Sequence, residues 1–185
     1  VLGLLIGSFL NVVVHRLPAM AMRDWWRHDL ADFALLDPRS WRAAFGATAE
    51  PPPELAAASR AVTKRLEALT PLSLLAPRSR CPSCGHQLKA SENIPLVSWL
   101  VLRGKCSACG TRIPARYPLL EAATGVLFAA CAWLFGPGSL TVVSCIAVAL
   151  LLAMALIDLE TTLLPDSLTI PLVVLGLAAA AAGWS

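Results

Sequence analysis

Apolar residues along this chain come in long runs set apart by polar stretches. Residues 1–14, VLGLLIGSFLNVVV, are apolar except for Ser8 and Asn11. Three more runs lie at Pro118–Phe135, Leu140–Ile157 and Leu168–Trp184, each 17 or 18 residues long. At 1.5 Å per residue, such runs sit at the lower limit for crossing a hydrocarbon core of ~30 Å. Two of them could be buried core helices, but three in close succession predict a membrane bundle. The first run reaches only about 21 Å as a helix and is expected to be the tail of a truncated transmembrane helix. A signal peptide competes with that reading, because Ala19-Met20-Ala21 resembles a cleavage site. Against it, the basic residues follow the run rather than precede it. Gly3 and Gly7 make a GxxxG pair that would admit a second helix at close range. Val1 opens inside one apolar run and Ser185 closes at the end of another, so a fragment is expected.

Between the runs the pattern changes. Residues 19–50 mix Trp25, Trp26 and Trp41 with Arg and Asp, and read as short helices or loop. Pro51-Pro52-Pro53 is a stiff break. Residues 54–69 then predict a helix, with Leu55, Val62, Leu66 and Leu69 at helical spacing. It could lie on an anionic membrane surface, but packing on its own domain is favoured. Ile94–Leu102 is apolar but too short to span. It is expected to form the core of a small domain or to rest on the membrane.

Composition sharpens this picture. The chain of 185 residues is 57% hydrophobic and 15% charged, with a mean hydropathy of +0.67. That excludes a disordered chain and argues against an ordinary water-soluble domain. All fifteen Lys and Arg residues lie from Arg16 to Arg116, alongside eight acids, for a net +7. The rest of the chain carries only Glu121, Asp158, Glu160 and Asp166, a net −4. The acids among the tryptophans nearly cancel the basic charge there, so no nucleic-acid partner is expected. Arg16, Arg23 and Arg27 follow the first span, and Arg103, Lys105, Arg112 and Arg116 precede the second. By the positive-inside rule the 15–118 loop is cytoplasmic. Counting spans then puts Asp158 and Asp166 at the same cytoplasmic face.

Cys81-Pro82-Ser83-Cys84-Gly85 and Cys106-Ser107-Ala108-Cys109-Gly110 are two matching CxxC turns with 21 residues between them. This is just beyond the usual ~15–20 of four-cysteine zinc sites. Two knuckles of this kind supply thiolates in pairs to a tetrahedral metal. Standing disulfides are disfavoured in the cytoplasm, and no βαβ context supports redox chemistry. Structural zinc is therefore expected on Cys81, Cys84, Cys106 and Cys109, with no open position for a catalytic water. His86 reads as a neighbour of the site or a surface residue rather than a ligand. Cys131 and Cys145, inside the spans, read as packing residues.

Ionisable groups within spans are costly and are candidate functional residues. Any one of the four acids could be an ordinary interfacial carboxylate. Asp158 stands out because an uncharged span leads straight into it, and low dielectric there would raise its pKa. Aspartic protease chemistry needs two carboxylates, one activating water and the other polarising the carbonyl. Asp166 follows eight residues later. On a continuous helix it would lie ~12 Å away along the axis, a poor partner unless the chain folds back sharply.

Several motifs in order resemble one family. They are Gly7–Pro18; Cys81 through Glu92-Asn93-Ile94-Pro95-Leu96-Val97-Ser98-Trp99-Leu100 to Cys106; Arg116-Tyr117-Pro118 to Glu121; and Ile157-Asp158 with Leu164-Pro165-Asp166-Ser167-Leu168-Thr169. Together they are similar to bacterial type IV prepilin peptidases over about two thirds of the chain, and residues 19–77 are not covered. The resemblance implies a multi-pass aspartic endopeptidase of the bacterial inner membrane. Such enzymes cut the leader from prepilins and pseudopilins at the cytoplasmic face, serving type IV pili and type II secretion. Many also methylate the new amino terminus with S-adenosylmethionine, an activity associated with the four-cysteine domain. The motif carries the first catalytic aspartate onto Asp158, with Asp166 in a supporting role at most. The second, in a GxGD motif, is expected beyond Ser185, so this chain alone is expected to be proteolytically inactive.

The expected fold class is an all-α polytopic membrane protein, with about four spans here and a small cytoplasmic zinc-ribbon-like domain. Its parts are a truncated first transmembrane helix (1–17), a cytoplasmic loop (18–77) containing the 54–69 helix, a four-cysteine domain (78–116) and three transmembrane helices (117–185). One alternative is a non-enzymatic docking protein of a pilus or secretion assembly, favoured by the lack of a second usable Asp. Another is a methyltransferase without protease activity.

Overall fold

A computed structural model describes residues 1–34 and 38–183, with the backbone alone at 31–34, 38, 40 and 56. Asp37 and Trp184 lie outside the described residues. The helices are α1 (Leu2–Ala34), α2 (Pro38–Phe45), α3 (Pro53–Glu67), α4 (Val97–Val101), α5 (Arg116–Phe135), α6 (Ser139–Thr161) and α7 (Asp166–Ala181). A 3-10 turn, Ala90–Asn93, precedes α4. Among the described residues there is no strand, only two isolated antiparallel bridges.

Among the described residues, three helices are long and apolar enough to cross a membrane: Leu2–Leu30, Arg116–Phe135 and Ser139–Thr161. The fourth apolar run forms α7, 16 residues with Pro171 inside. At about 24 Å it is a shorter apolar helix than the others. All-α architecture with apolar helices and a four-cysteine module is therefore what the chain adopts.

One sequence expectation changes at Pro18. Short helices or loop were expected from there, yet α1 runs through Pro18 to Ala34. Proline removes one backbone donor, but Ala and Met around it are good helix formers and carry the helix on.

The chain divides into two compact units, Val1–Pro18 with Leu74–Ser185, and Ala19–Ser73. In the first, α1 lies against α5 at its small residues. A Cβ on Gly7 would stand 2.7 Å from Glu121 Cα, and one on Gly3 would stand 2.9 Å from Gly125 Cα. The GxxxG pair thus admits a neighbouring backbone. The core joins Leu10, Val13, Leu120 and Ala153, with Leu17, Leu74, Leu156 and Leu168 packed around it. α6 packs against both α5 and α7. Many apolar side chains face outward from the bundle, including Val126, Trp133, Leu151 and Val174. That suits helices solvated by lipid.

In the second unit, α3 packs on the later part of α1. Ser59 is buried and its Oγ donates to the Leu30 carbonyl at 2.6 Å. Arg23 donates to the Thr70 carbonyl at 3.0 Å. Trp25 and Trp26 remain exposed, whereas Trp41 stacks with Phe45 at 4.3 Å.

Candidate functional site

The two CxxC turns fold alike. In the first, Cys81 N–H donates to the His86 carbonyl at 2.8 Å and Gly85 N–H to the Cys81 carbonyl at 2.9 Å. In the second, Cys106 N–H donates to the Thr111 carbonyl and Gly110 N–H to the Cys106 carbonyl, both at 2.9 Å. The bridges Arg80–Gln87 and Lys105–Arg112 close the two knuckles. Gly85 and Gly110 adopt φ of 73° and 70°, a region natural to glycine.

The knuckles bring Cys81, Cys84, Cys106 and Cys109 together with their sulfurs all within 4.8 Å of one another. Cys81 Sγ and Cys109 Sγ are 3.8 Å apart. That is far beyond the ~2.05 Å of a disulfide. It equals the edge of about 3.8 Å of a sulfur tetrahedron with metal–sulfur bonds of ~2.3 Å. The donor set fits a metal ion. The acidities show why the cluster needs one. The Thr111 hydroxyl and amide, with Cys84, draw Cys109 down to about 6. The His86 amide favours a Cys84 thiolate, but the Cys109 and Cys81 sulfurs outweigh it and push Cys84 up to about 12. Without a cation Cys84 and Cys109 do not ionise together, and a divalent metal would remove that repulsion.

Glu92 fastens the knuckles to each other. Its Oε2 accepts from Lys89 N–H at 2.8 Å and meets His86 Nε2 of the first knuckle at 3.1 Å. Its Oε1 accepts from Ser107 Oγ of the second at 2.5 Å. The Lys89 amide, the Ser107 hydroxyl and the His86 ring hold this carboxyl down at about 2. His86 thus contacts Glu92 and Ser107, beside the cysteine cluster.

A second carboxylate joins the cysteine module to the membrane helices. Glu121 is buried, and its Oε2 accepts from Leu96 N–H at 2.8 Å. Leu96 has φ 60° and ψ −48°, and Val97 N–H bonds to the Pro95 carbonyl at 2.6 Å across it. This is a γ-turn of the rare, strained kind. A non-glycine residue there costs ~1–3 kcal/mol. A hydrogen bond to a charged acceptor contributes ~1.5–3 kcal/mol and offsets it. The turn leads into α4, whose Val97, Leu100 and Val101 are exposed. Trp99 turns inward, its Nε1 donating to the Ile113 carbonyl at 3.2 Å. So 94–102 is only partly domain core.

The other acids sit at the polar end of α6 and α7. Asp158 lies in the last turn of α6 and is exposed. Thr162 caps that helix in the left-handed region, and its N–H bonds to the Asp158 carbonyl at 2.8 Å. α7 begins at Asp166, also exposed. Thr169 Oγ1 reaches Met154 Sδ at 4.0 Å, so α6 and α7 form a hairpin. The chain does fold back between the two aspartates, and the continuous-helix separation does not apply. Glu160 pairs with Arg116 at the start of α5, and Asn11 Nδ2 donates to the Tyr117 carbonyl at 3.1 Å. The first turns of α5 are thereby tied to both α1 and α6.

Two functional contacts were not anticipated. The bond of Glu121 to Leu96 had a signal, a buried-span acid, but its partner depends on a γ-turn with no sequence signature. The clasp at Glu92 had its place between the knuckles and within the Glu92–Leu100 motif, neither of which names its partners.

Helical membrane segments carrying acids at their polar ends, with a four-cysteine module fit for a metal inserted before the second long span, define a helical membrane protein with a candidate metal site. The model described as Bacterial Peptidase A24 N-terminal domain matches residues 1–135. That described as Type IV leader peptidase family matches residues 145–185. The chain belongs to the type IV leader peptidase family. Its relatives include proteins named prepilin leader peptidase/N-methyltransferase. Those of Burkholderia pseudomallei and Stutzerimonas stutzeri are each 45% identical over 96% of this chain, and over 49% and 52% of their own lengths. That of Pseudomonas aeruginosa is 44% identical over 96% of the chain and 52% of the relative. The chain thus spans about half the length of the curated relatives it matches. No solved structure matches it.

Proposed function

We propose that this chain is the amino-terminal part of an inner-membrane enzyme that removes the leader from type IV prepilins or pseudopilins. The observation that carries the reading is Asp158, exposed at the polar end of α6 inside the segment matching the leader peptidase family. It supplies one of two carboxylates, and its partner belongs to the half of the relatives' length that this chain does not span. As base, Asp158 takes a proton from the attacking water while the partner acid polarises the scissile carbonyl. Asp166, opening α7 across the turn, supports the site by position.

Cys81, Cys84, Cys106 and Cys109 would hold a zinc ion, which would supply structural support to the module between α1 and α5. Four thiolates would leave no open position for a catalytic water, so the ion's role would be structural. The relatives' names support a further methylation of the new amino terminus with S-adenosylmethionine as donor.

Asp158→Asn in the full-length protein tests the assignment. Prepilin trimming in detergent is expected to fall below about a thousandth of normal, as when a catalytic acid–base group is lost. Trimming at an undiminished rate removes Asp158 from the catalytic role.

A further inference from the structure

Two cavities of opposite character adjoin at the polar end of the first unit. One, of about 350 Å³, is lined by Arg16, Arg78, Lys89 and Ser79, and no carboxylate is among its described lining residues. Arg16 is held in its wall, with Nη2 donating to the Pro77 carbonyl at 2.6 Å. The other, of about 530 Å³, runs along the apolar helices beside Val13, Leu17, Ala149 and Leu168. Among its described lining residues, only Thr141, Cys145 and Ser167 have side chains that are not hydrocarbon. The two cavities share one wall residue, Leu74. Val12 and Arg16 of α1 face the basic cavity, while Val13 and Leu17 face the apolar groove.

We propose that this pair of cavities is a binding site for one anionic phospholipid, its headgroup phosphate in the basic cavity and an acyl chain in the groove. Arg78 and Lys89, with no carboxylate among the described lining residues, favour an anion, and Arg16 forms part of the same wall. Arginine forks and a lysine ammonium suit phosphate oxygens. An apolar channel beginning at the shared Leu74 suits the hydrocarbon attached to that phosphate. A free phosphate leaves the groove unused. An apolar helix of another protein, or a second copy of this chain, leaves the cations unused. A phospholipid uses both.

The test is native mass spectrometry of the whole chain in detergent, titrated with phosphatidylglycerol, phosphatidylcholine or inorganic phosphate. One phosphatidylglycerol is expected to bind per chain, at least about tenfold more tightly than phosphatidylcholine, since each cation near an anionic headgroup contributes ~1 kcal/mol. Arg78→Gln with Lys89→Gln is expected to erase that preference while keeping the melting temperature, because both side chains are exposed. Each single substitution is expected to weaken binding by about threefold or more, which keeps the test decisive if the double variant unfolds. Ile146→Trp, narrowing the groove, is expected to weaken lipid and not phosphate. Equal retention of both lipids, undiminished binding by the variants, or phosphate binding as tightly as the lipid each overturns the proposal. So does a lipid-free dimer at the groove.

Discussion

One carboxylate, Glu92, holds two symmetric loops that share no backbone hydrogen bond in the network above. Its folded pKa of about 2 lies below the ordinary 4.5. A depressed carboxyl pKa stabilises the fold above the unfolded value and loses that contribution as pH falls through the folded one. The Glu92 contribution is thus complete above about pH 4.5 and gone near pH 2. Glu92→Gln is expected to melt below wild type at pH 7, with the difference closing between those limits. Calorimetry of the zinc-loaded protein across pH checks the first part, and that of the metal-free protein checks the acid limb. Zinc content at pH 7 should stay at one per chain in Glu92→Gln, and fall to none in Cys106→Ser. At this scale the cysteines were legible because a metal demands a fixed ligand count and spacing. The clasp was not, since a hydrogen-bonding Glu looks like any polar surface residue.

Among the elements, the crossing of α1 and α5 sets the tightest steric condition. A methyl on Gly7 would press on the Glu121 backbone at 2.7 Å and on Thr124 at 3.1 Å. Thr124 is wholly buried, so little there can give. Gly7→Ala is expected to destabilise the chain by about 1–3 kcal/mol, as overpacked cores do. Gly176→Ala, where nothing lies within 4 Å, is expected to be neutral or to stabilise by up to ~1 kcal/mol. Thermal unfolding in detergent separates the two. The helices themselves were plain in the sequence, since runs of 17 or more apolar residues leave little choice. The continuation of α1 past Pro18 was hidden, because proline is a strong local stop signal that a long flanking helix overrides. That Asp158 and Asp166 share one end followed from counting spans, but the form of the turn between them was hidden, because it depends on Thr162 taking a left-handed conformation.

For the whole molecule, charge asymmetry predicts a topology with the 15–118 loop cytoplasmic. Alkaline phosphatase fused after Gly138 is expected to be active, and after Arg103 or Leu164 inactive. Activity at Arg103 would invert the orientation and move Asp158 to the opposite membrane face. The bond between Glu121 and Leu96 has a further effect at this scale. If residues 78–116 opened alone, the buried Glu121 carboxylate would lose the only partner it has among the described residues. Stranding such a charge is expensive, so local opening of the cysteine module is penalised as if it were opening of the helix bundle. The module and the first turns of α5 are therefore expected to open as one cooperative unit, which hydrogen exchange would show as matched protection in both.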